Sequence, residues 1–247
     1  MVMLGNGRNI LCTFTGNDHQ VIVHDIETQS PKDVFLLDDA CYCLCMHPSS
    51  DSLFLTSSED GKIKLIDRRA DPSQEPTLIA TDRAAFHAAL FNPAENQLIA
   101  SASARDGVQL WDVRKPLWPI FRYGLVKKIQ PAMSVRWSSD GRMLFALRRK
   151  LEPVLYNTLS PKPVAIFDSE GYYNSCTMKS CCFAGPRDEV RMTTLRLFSE
   201  LTITIVLMKI WLPNRTTFYL RLLQVVLVCR QSSSNLFKIK GFVLGWS

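Results

Sequence analysis

Residues 108–114, Val-Gln-Leu-Trp-Asp-Val-Arg, decide how this chain is read, because they recur upstream, degraded but in register. Residues 62–69 read Lys-Ile-Lys-Leu-Ile-Asp-Arg-Arg, and residues 20–26 read Gln-Val-Ile-Val-His-Asp-Ile. The aspartates Asp25, Asp67 and Asp112 stand 42 and 45 residues apart, and a further 45 residues lead to Asn157 in Pro-Val-Leu-Tyr-Asn. Fixed spacing of this order marks a repeat protein before any other motif is weighed.

Within each unit, short apolar runs are bounded by Gly, Asn, Asp, Ser and Pro, the pattern of short antiparallel strands joined by tight turns. In the second unit the expected strands cover 41–46, 53–57, 62–67 and 77–80, with turns at 47–52 and 58–61. The third repeats that order at 85–91, 98–103, 108–112 and 120–123, and the fourth at 132–137, 143–147, 154–157 and 164–167. In the first unit, which enters late at 9–15, the inner strand is expected to be poor or missing.

Four strands per unit and a Trp111-Asp112 ending, with Asp106-Gly107 five residues earlier, are the pattern of WD40 repeats. The expected fold is therefore all-β, an incomplete β-propeller of about four blades over residues 1–189. Propellers typically carry four to eight blades, and open sheet edges are a hazard for a free-standing protein, so a longer propeller is expected around this piece.

The net charge of +6 is unevenly placed. Residues 1–189 hold 21 Lys and Arg against 22 Asp and Glu, whereas residues 190–247 hold 8 basic residues and the single acid Glu200. The repeat region therefore offers no electrostatic argument for direct nucleic-acid binding. From about Val190 the turn residues disappear and Leu, Ile, Val and Arg crowd together, so 190–247 reads as a separate basic, apolar tail. An altered reading frame or unspliced gene would give such a non-native C-terminus. Its apolar runs are interrupted by Lys209, Pro213, Arg215 and Arg221, leaving no run of about 18 apolar residues to span a bilayer.

The eight cysteines lack zinc-site spacing and no signal peptide precedes them, so reduced thiols in the cytoplasm or nucleus are expected, with no metal. Strict alternation would put the sulfurs of Cys41, Cys43 and Cys45 on one buried strand face. No phosphate-binding glycine loop, nucleophile elbow or zinc-binding His-Glu-x-x-His helix is present. His19, His24, His47 and His87 fall in strands or turns near equivalent repeat positions, which suits structural hydrogen bonding better than catalysis. Neither enzymatic activity nor a cofactor is expected.

Two consecutive units end in Asp-x-Arg, at Asp67-Arg68-Arg69 and Asp112-Val113-Arg114. In a propeller this position closes the third strand of a blade, so equivalent arginines of neighbouring blades emerge on one face. The guanidinium is a planar five-donor fork suited to carboxylates and carbonyls at an interface, and arginine is enriched among hot spots. The alternative is an Asp–Arg pair that merely pins the blade's loop, and the two roles can coexist. On the opposite face, Arg148-Arg149-Lys150 is the basic triplet of this region, either a receiver of an acidic substrate segment or a solvated loop.

The paired boxes resemble those of the WD40 substrate receptors of cullin-RING ubiquitin ligases of the cullin-4 class. Residues 85–87, 91–93, 107–116, 122–124, 132–136, 147–156 and 173–185 narrow the resemblance to one member of that class, over about 9–187. It implies a non-enzymatic receptor that links an unidentified protein substrate to the ligase through its adaptor, with Asp67, Arg69, Asp112 and Arg114 at the adaptor contact. Ile66 stands where the family motif has Trp, which should weaken packing at that box while leaving Asp67 and Arg69. The rival readings are a general WD40 interaction scaffold and a membrane-associated protein acting through 190–247.

Overall fold

Each repeat folds into an antiparallel four-stranded meander, as alternating apolar runs and tight turns require. In the computed structural model, residues 19–25, 27–28, 30–71, 74–124, 130–167 and 181–183 are described with side chains. The backbone alone is described for 2–3, 9–13, 184, 190–193, 202–209 and 223–228. The first-unit turn at 14–18, most of the family-like stretch (173–180 and 185), and tail residues 194–201, 210–222 and 229–247 lie outside the described residues.

The first sheet runs β1 (Val2–Met3), β2 (Asn9–Thr13), β3 (Gln20–Asp25) and β4 (Ser30–Leu36), in that order. Its innermost strand is two residues long, in keeping with the poor strand expected there. The second runs β5 (Cys41–His47), β6 (Ser50–Ser58), β7 (Lys62–Asp67) and β8 (Thr77–Thr81). The third runs β9 (Phe86–Phe91), β10 (Leu98–Ser103), β11 (Gly107–Asp112) and β12 (Lys115–Arg122). The fourth runs β13 (Ala132–Trp137), β14 (Met143–Arg148), β15 (Val154–Asn157) and β16 (Pro163–Ile166). The described backbone also joins β17 (Cys181–Ala184), β18 (Val190–Thr193), β19 (Thr202–Lys209) and β20 (Leu223–Val228) into a fifth such sheet, which carries the chain past Val190.

The cores lie between consecutive sheets rather than within one. Val21 and Val23 of β3 pack on Cys41, Leu44, Phe54 and Ile66 of the second sheet. Leu55, Ile63 and Ile79 meet Phe86, Phe91, Ile99 and Trp111 of the third. Ala88, Leu98 and Leu110 meet Val135, Leu144 and Tyr156 of the fourth, and Phe145, Leu155 and Phe167 of the fourth meet Cys181 of the next. A sheet covered on both faces needs no polar side, which is why all six residues of β10, Leu-Ile-Ala-Ser-Ala-Ser, are buried.

Two differences from the expected elements have local causes. β12 begins at Lys115 rather than at 120, because irregularities at Leu110, Trp111 and Asp112 and a positive φ at Leu117 let the strand pair while breaking its apolar alternation. In β5 the register slips between Cys41 and Cys43, a bulge that changes the face on which following side chains emerge. Cys41 therefore packs with Leu44 in the core shared with β3, while Cys43 and Cys45 pack toward the third and fourth sheets. The three sulfurs do not share one face.

Candidate functional site

In each of the first four sheets the end of the third strand carries a side-chain oxygen that closes a turn. Asp25 Oδ1 accepts from the amides of Glu27 at 2.9 Å and Thr28 at 3.2 Å. Asp67 Oδ1 accepts from Arg69 N at 3.0 Å, Asp112 Oδ1 from Arg114 N at 2.9 Å, and Asn157 Oδ1 from Leu159 N at 2.9 Å. Asp and Asn favour such turns because the short side chain reaches the backbone two residues on. The carboxylate or amide of this corner thus belongs to the fold in all four units.

The arginine does not. The residue two after the corner is Glu27, Arg69, Arg114 and Leu159 in turn, and the turn forms with each of them. In the two arginine units the geometry is repeated almost atom for atom. Arg69 donates Nε to Asp67 Oδ1 at 3.1 Å and Nη2 to Oδ2 at 2.9 Å; Arg114 donates Nε to Asp112 Oδ1 at 3.0 Å and Nη2 to Oδ2 at 2.7 Å. This two-point fork fixes the direction of each guanidinium, yet Arg69 remains 70% and Arg114 69% exposed. The hydrogen bonds from Arg69 and Arg114 hold both carboxyls below the usual carboxylate range. Both carboxylates are therefore ionised at neutral pH, and the forks are lost only in acid below the ordinary carboxylate range.

Both corners lie at one end of the propeller. In each meander the third-strand corner sits at the same end as the turn between the first two strands, and those turns meet across blades. Asn96 Nδ2 donates to Ser49 Oγ at 2.9 Å, joining the third sheet to the second. Asn92 Nδ2 donates to Gly141 O at 2.8 Å, joining it to the fourth.

Two neighbours of these corners were not singled out by the sequence. Arg68, inside the first box, donates Nη2 at 2.6 Å and Nε at 3.2 Å to Asp33 Oδ2 of β4, clamping the first blade to the second. Trp118, four residues beyond Arg114, is 79% exposed, and Leu117 before it is also exposed and carries a φ of 71°. An exposed tryptophan on the outer strand of the blade that carries Arg114 adds a second residue type enriched at interface hot spots. Its signal in the sequence is an aromatic residue that breaks the strand's inward alternation.

Ile66 changes the second box in a way other than lost packing. It is buried among Val21, Val23, Leu44 and Phe54. In the third blade the indole of Trp111 donates Nε1 to Ser101 Oγ at 2.9 Å. Thr56 stands at the position equivalent to Ser101, ten residues before Ile66, and its buried hydroxyl has no partner among the described residues. The substitution removes a donor and strands an acceptor.

The basic triplet divides. Arg148 is 5% exposed, donating Nε to Glu152 O at 3.0 Å and Nη1 to Gln130 Oε1 at 2.7 Å, because it holds the turn after β14 in place. It therefore offers no free guanidinium to a partner. Arg149 and Lys150 are exposed at that turn.

Burial raises the Cys41 and Cys45 thiols to about 12 and Cys181 to about 11. Such thiols are inert as ligands or nucleophiles at neutral pH. Among the described residues no group of three or more His, Cys, Asp or Glu is placed to hold a metal ion, and no helix is long and apolar enough to cross a membrane.

Comparison with known proteins agrees with the architecture. Residues 31–67 match the family described as WD domain, G-beta repeat. The chain is 51% identical over 174 residues to DDB1- and CUL4-associated factor 5 of Homo sapiens, and equally to that of Mus musculus, a match covering 70% of this chain. It is 28% identical over 138 residues, 56% of its length, to the ribosome biogenesis protein WDR12 homolog of Nematostella vectensis. These matches span 18% of the length of the first two relatives and 32% of the third. Among solved structures, the Myceliophteria thermophila Cps50 (Swd1) beta-propeller domain superposes with a TM-score of 0.68 at 13% identity, over 89% of this chain and 69% of that one, a likeness of fold alone.

Proposed function

We propose, from the premise that this is a WD40-repeat chain of propeller blades, that it is a substrate receptor joining a target protein to a CUL4 ubiquitin ligase through DDB1. The observation that carries this reading is the contrast at the blade corners. The turn-closing side chain recurs in four units, whereas among these described corners a forked, outward-pointing arginine is added at Arg69 and Arg114 alone. The resemblance to DDB1- and CUL4-associated factor 5 supplies the partner. Asp67 and Asp112 orient the guanidinia, Trp118 extends the surface on the third blade, and Arg149 and Lys150 face the substrate side. The receptor has no chemistry of its own. Holding a substrate lysine near a charged ubiquitin carrier makes the transfer effectively intramolecular, a gain of proximity. Such a receptor works in the cytoplasm or nucleus without cofactor, metal, membrane or direct nucleic-acid contact.

The test is co-purification of DDB1 with the Arg69→Ala/Arg114→Ala variant, with Trp118→Ala as a second arm. Adaptor recovery is expected to collapse in the first and fall in the second, with the melting temperature unchanged, since the corner turns depend on backbone amides of residues 69 and 114. Undiminished recovery would discard the contact. The rival is a general scaffold whose corner arginines serve the fold, as Arg68 does toward Asp33; it predicts lower melting temperatures in the same variants.

A further inference from the structure

At the end of the propeller opposite the Asp-x-Arg corners, a shallow cleft opens between the second and third blades. It is lined by Thr81, Asp82, Arg83, Arg105, Asp106 and Arg122. We propose that this cleft binds an acidic segment of a partner protein in extended conformation, its Asp or Glu side chains pairing with Arg83, Arg105 and Arg122.

The donors in the cleft outnumber the acceptors. Asp106 is shared by two arginines, with Arg122 Nη1 at 2.9 Å from Oδ2 and Arg105 Nε at 3.9 Å from Oδ1. Each guanidinium carries five N–H donors, so a single carboxylate leaves most of them to water. Asp82 is committed elsewhere: its Oδ2 accepts from Ser103 Oγ at 2.8 Å and its Oδ1 from Arg83 N at 2.6 Å. The Arg83 guanidinium has no ion pair among the described residues. Arg105 and Arg122 stay half or more exposed.

The interspersed acids decide the class of partner. A nucleic-acid backbone presents a continuous line of phosphates, which Asp82, Asp106 and the nearby Glu59 and Asp60 would repel. An extended peptide presents side chains on one face about 7 Å apart, so its carboxylates can fall between those acids and onto the arginines. Binding in this cleft does not depend on the ligase reading; only the identification of the bound segment with a substrate does.

The test uses the chain itself and a short labelled oligoglutamate peptide, read by fluorescence anisotropy in low salt. A matched oligoglutamine peptide and a thymidine oligonucleotide of equal charge serve as comparisons. The glutamate peptide is expected to bind at least about tenfold more tightly than either comparison. Arg105→Gln/Arg122→Gln should cost about tenfold or more, while Arg69→Ala/Arg114→Ala should cost nothing. Asp106→Asn should strengthen binding by releasing both arginines, a gain that damage to the fold cannot mimic. Equal binding of the glutamine peptide, indifference to the arginine pair, tighter binding of the oligonucleotide or weaker binding by Asp106→Asn would each overturn the proposal. None of these outcomes bears on adaptor recovery, so the two proposals fail separately.

Discussion

At the scale of single residues, the two boxes differ by one hydrogen bond whose absence should be measurable. Ser101 Oγ in the third blade receives the Trp111 indole N–H, and the equivalent Thr56 Oγ1 in the second has no donor opposite it. An unsatisfied buried hydroxyl costs about 1–3 kcal/mol, whereas an apolar group of the same shape costs little. Thr56→Val, nearly isosteric, is therefore expected to hold or raise the urea midpoint. Ser101→Ala, which orphans the indole N–H, is expected to lower stability by about 1–3 kcal/mol. Equal losses in both variants would show that Thr56 has a partner after all. The corner aspartates were legible as a spacing, and Asp67 and Asp112 as a pair. The sequence could not separate the turn-closing acid from the added arginine, because that separation depends on seeing Asp25 and Asn157 make the same turn with Glu27 and Leu159 behind them.

At the scale of strands, the boundaries of β7, β10, β13 and β15 follow from the apolar runs alone, since each is flanked by turn residues. What alternation misses is the bulge. An extra residue reverses the parity of everything after it, and β5, β9 and β13 each carry a register shift at or against their first residues. The cysteine stripe was misplaced for this reason alone. Its chemistry can be checked by mass-mapped maleimide labelling at neutral pH. Cys182, exposed at β17, is expected to react in the native state, and Cys41, Cys45 and Cys181 only after denaturation, because burial keeps their thiols protonated. Native labelling of Cys45 at the rate of Cys182 would contradict the packing of β5 against the third blade. Arg148 was misjudged on similar grounds: a basic triplet reads as surface, but its first member ends a buried strand and closes the turn that follows.

At the scale of the molecule, stability rests on the junctions between blades, since the apolar clusters lie there. Polar ties reinforce them: Arg68 to Asp33 between the first two blades, Ser103 to Asp82 between the second and third, and Asn92 to Gly141 between the third and fourth. The last is the most sensitive to sequence. Asn92 is buried, its Oδ1 accepts from Ala94 N at 2.8 Å and Glu95 N at 3.0 Å, and its Nδ2 donates to Gly141 O. Gly141 carries a φ of +69°, and a Cβ placed there would overlap the Asn92 amide. Gly141→Ala must therefore strain its own turn and displace the side chain that closes the neighbouring one. A left-handed conformation costs an L-residue about 1–2 kcal/mol before any clash is counted. The substitution is expected to destabilise by more than that, and Asn92→Ala to weaken the same junction by removing both the turn closure and the tie. A double-mutant cycle makes the coupling explicit: the clash disappears once Asn92 is alanine, so the paired loss should fall short of the sum of the single losses by about 1 kcal/mol or more. Strict additivity would mean that the third and fourth blades do not communicate through this contact.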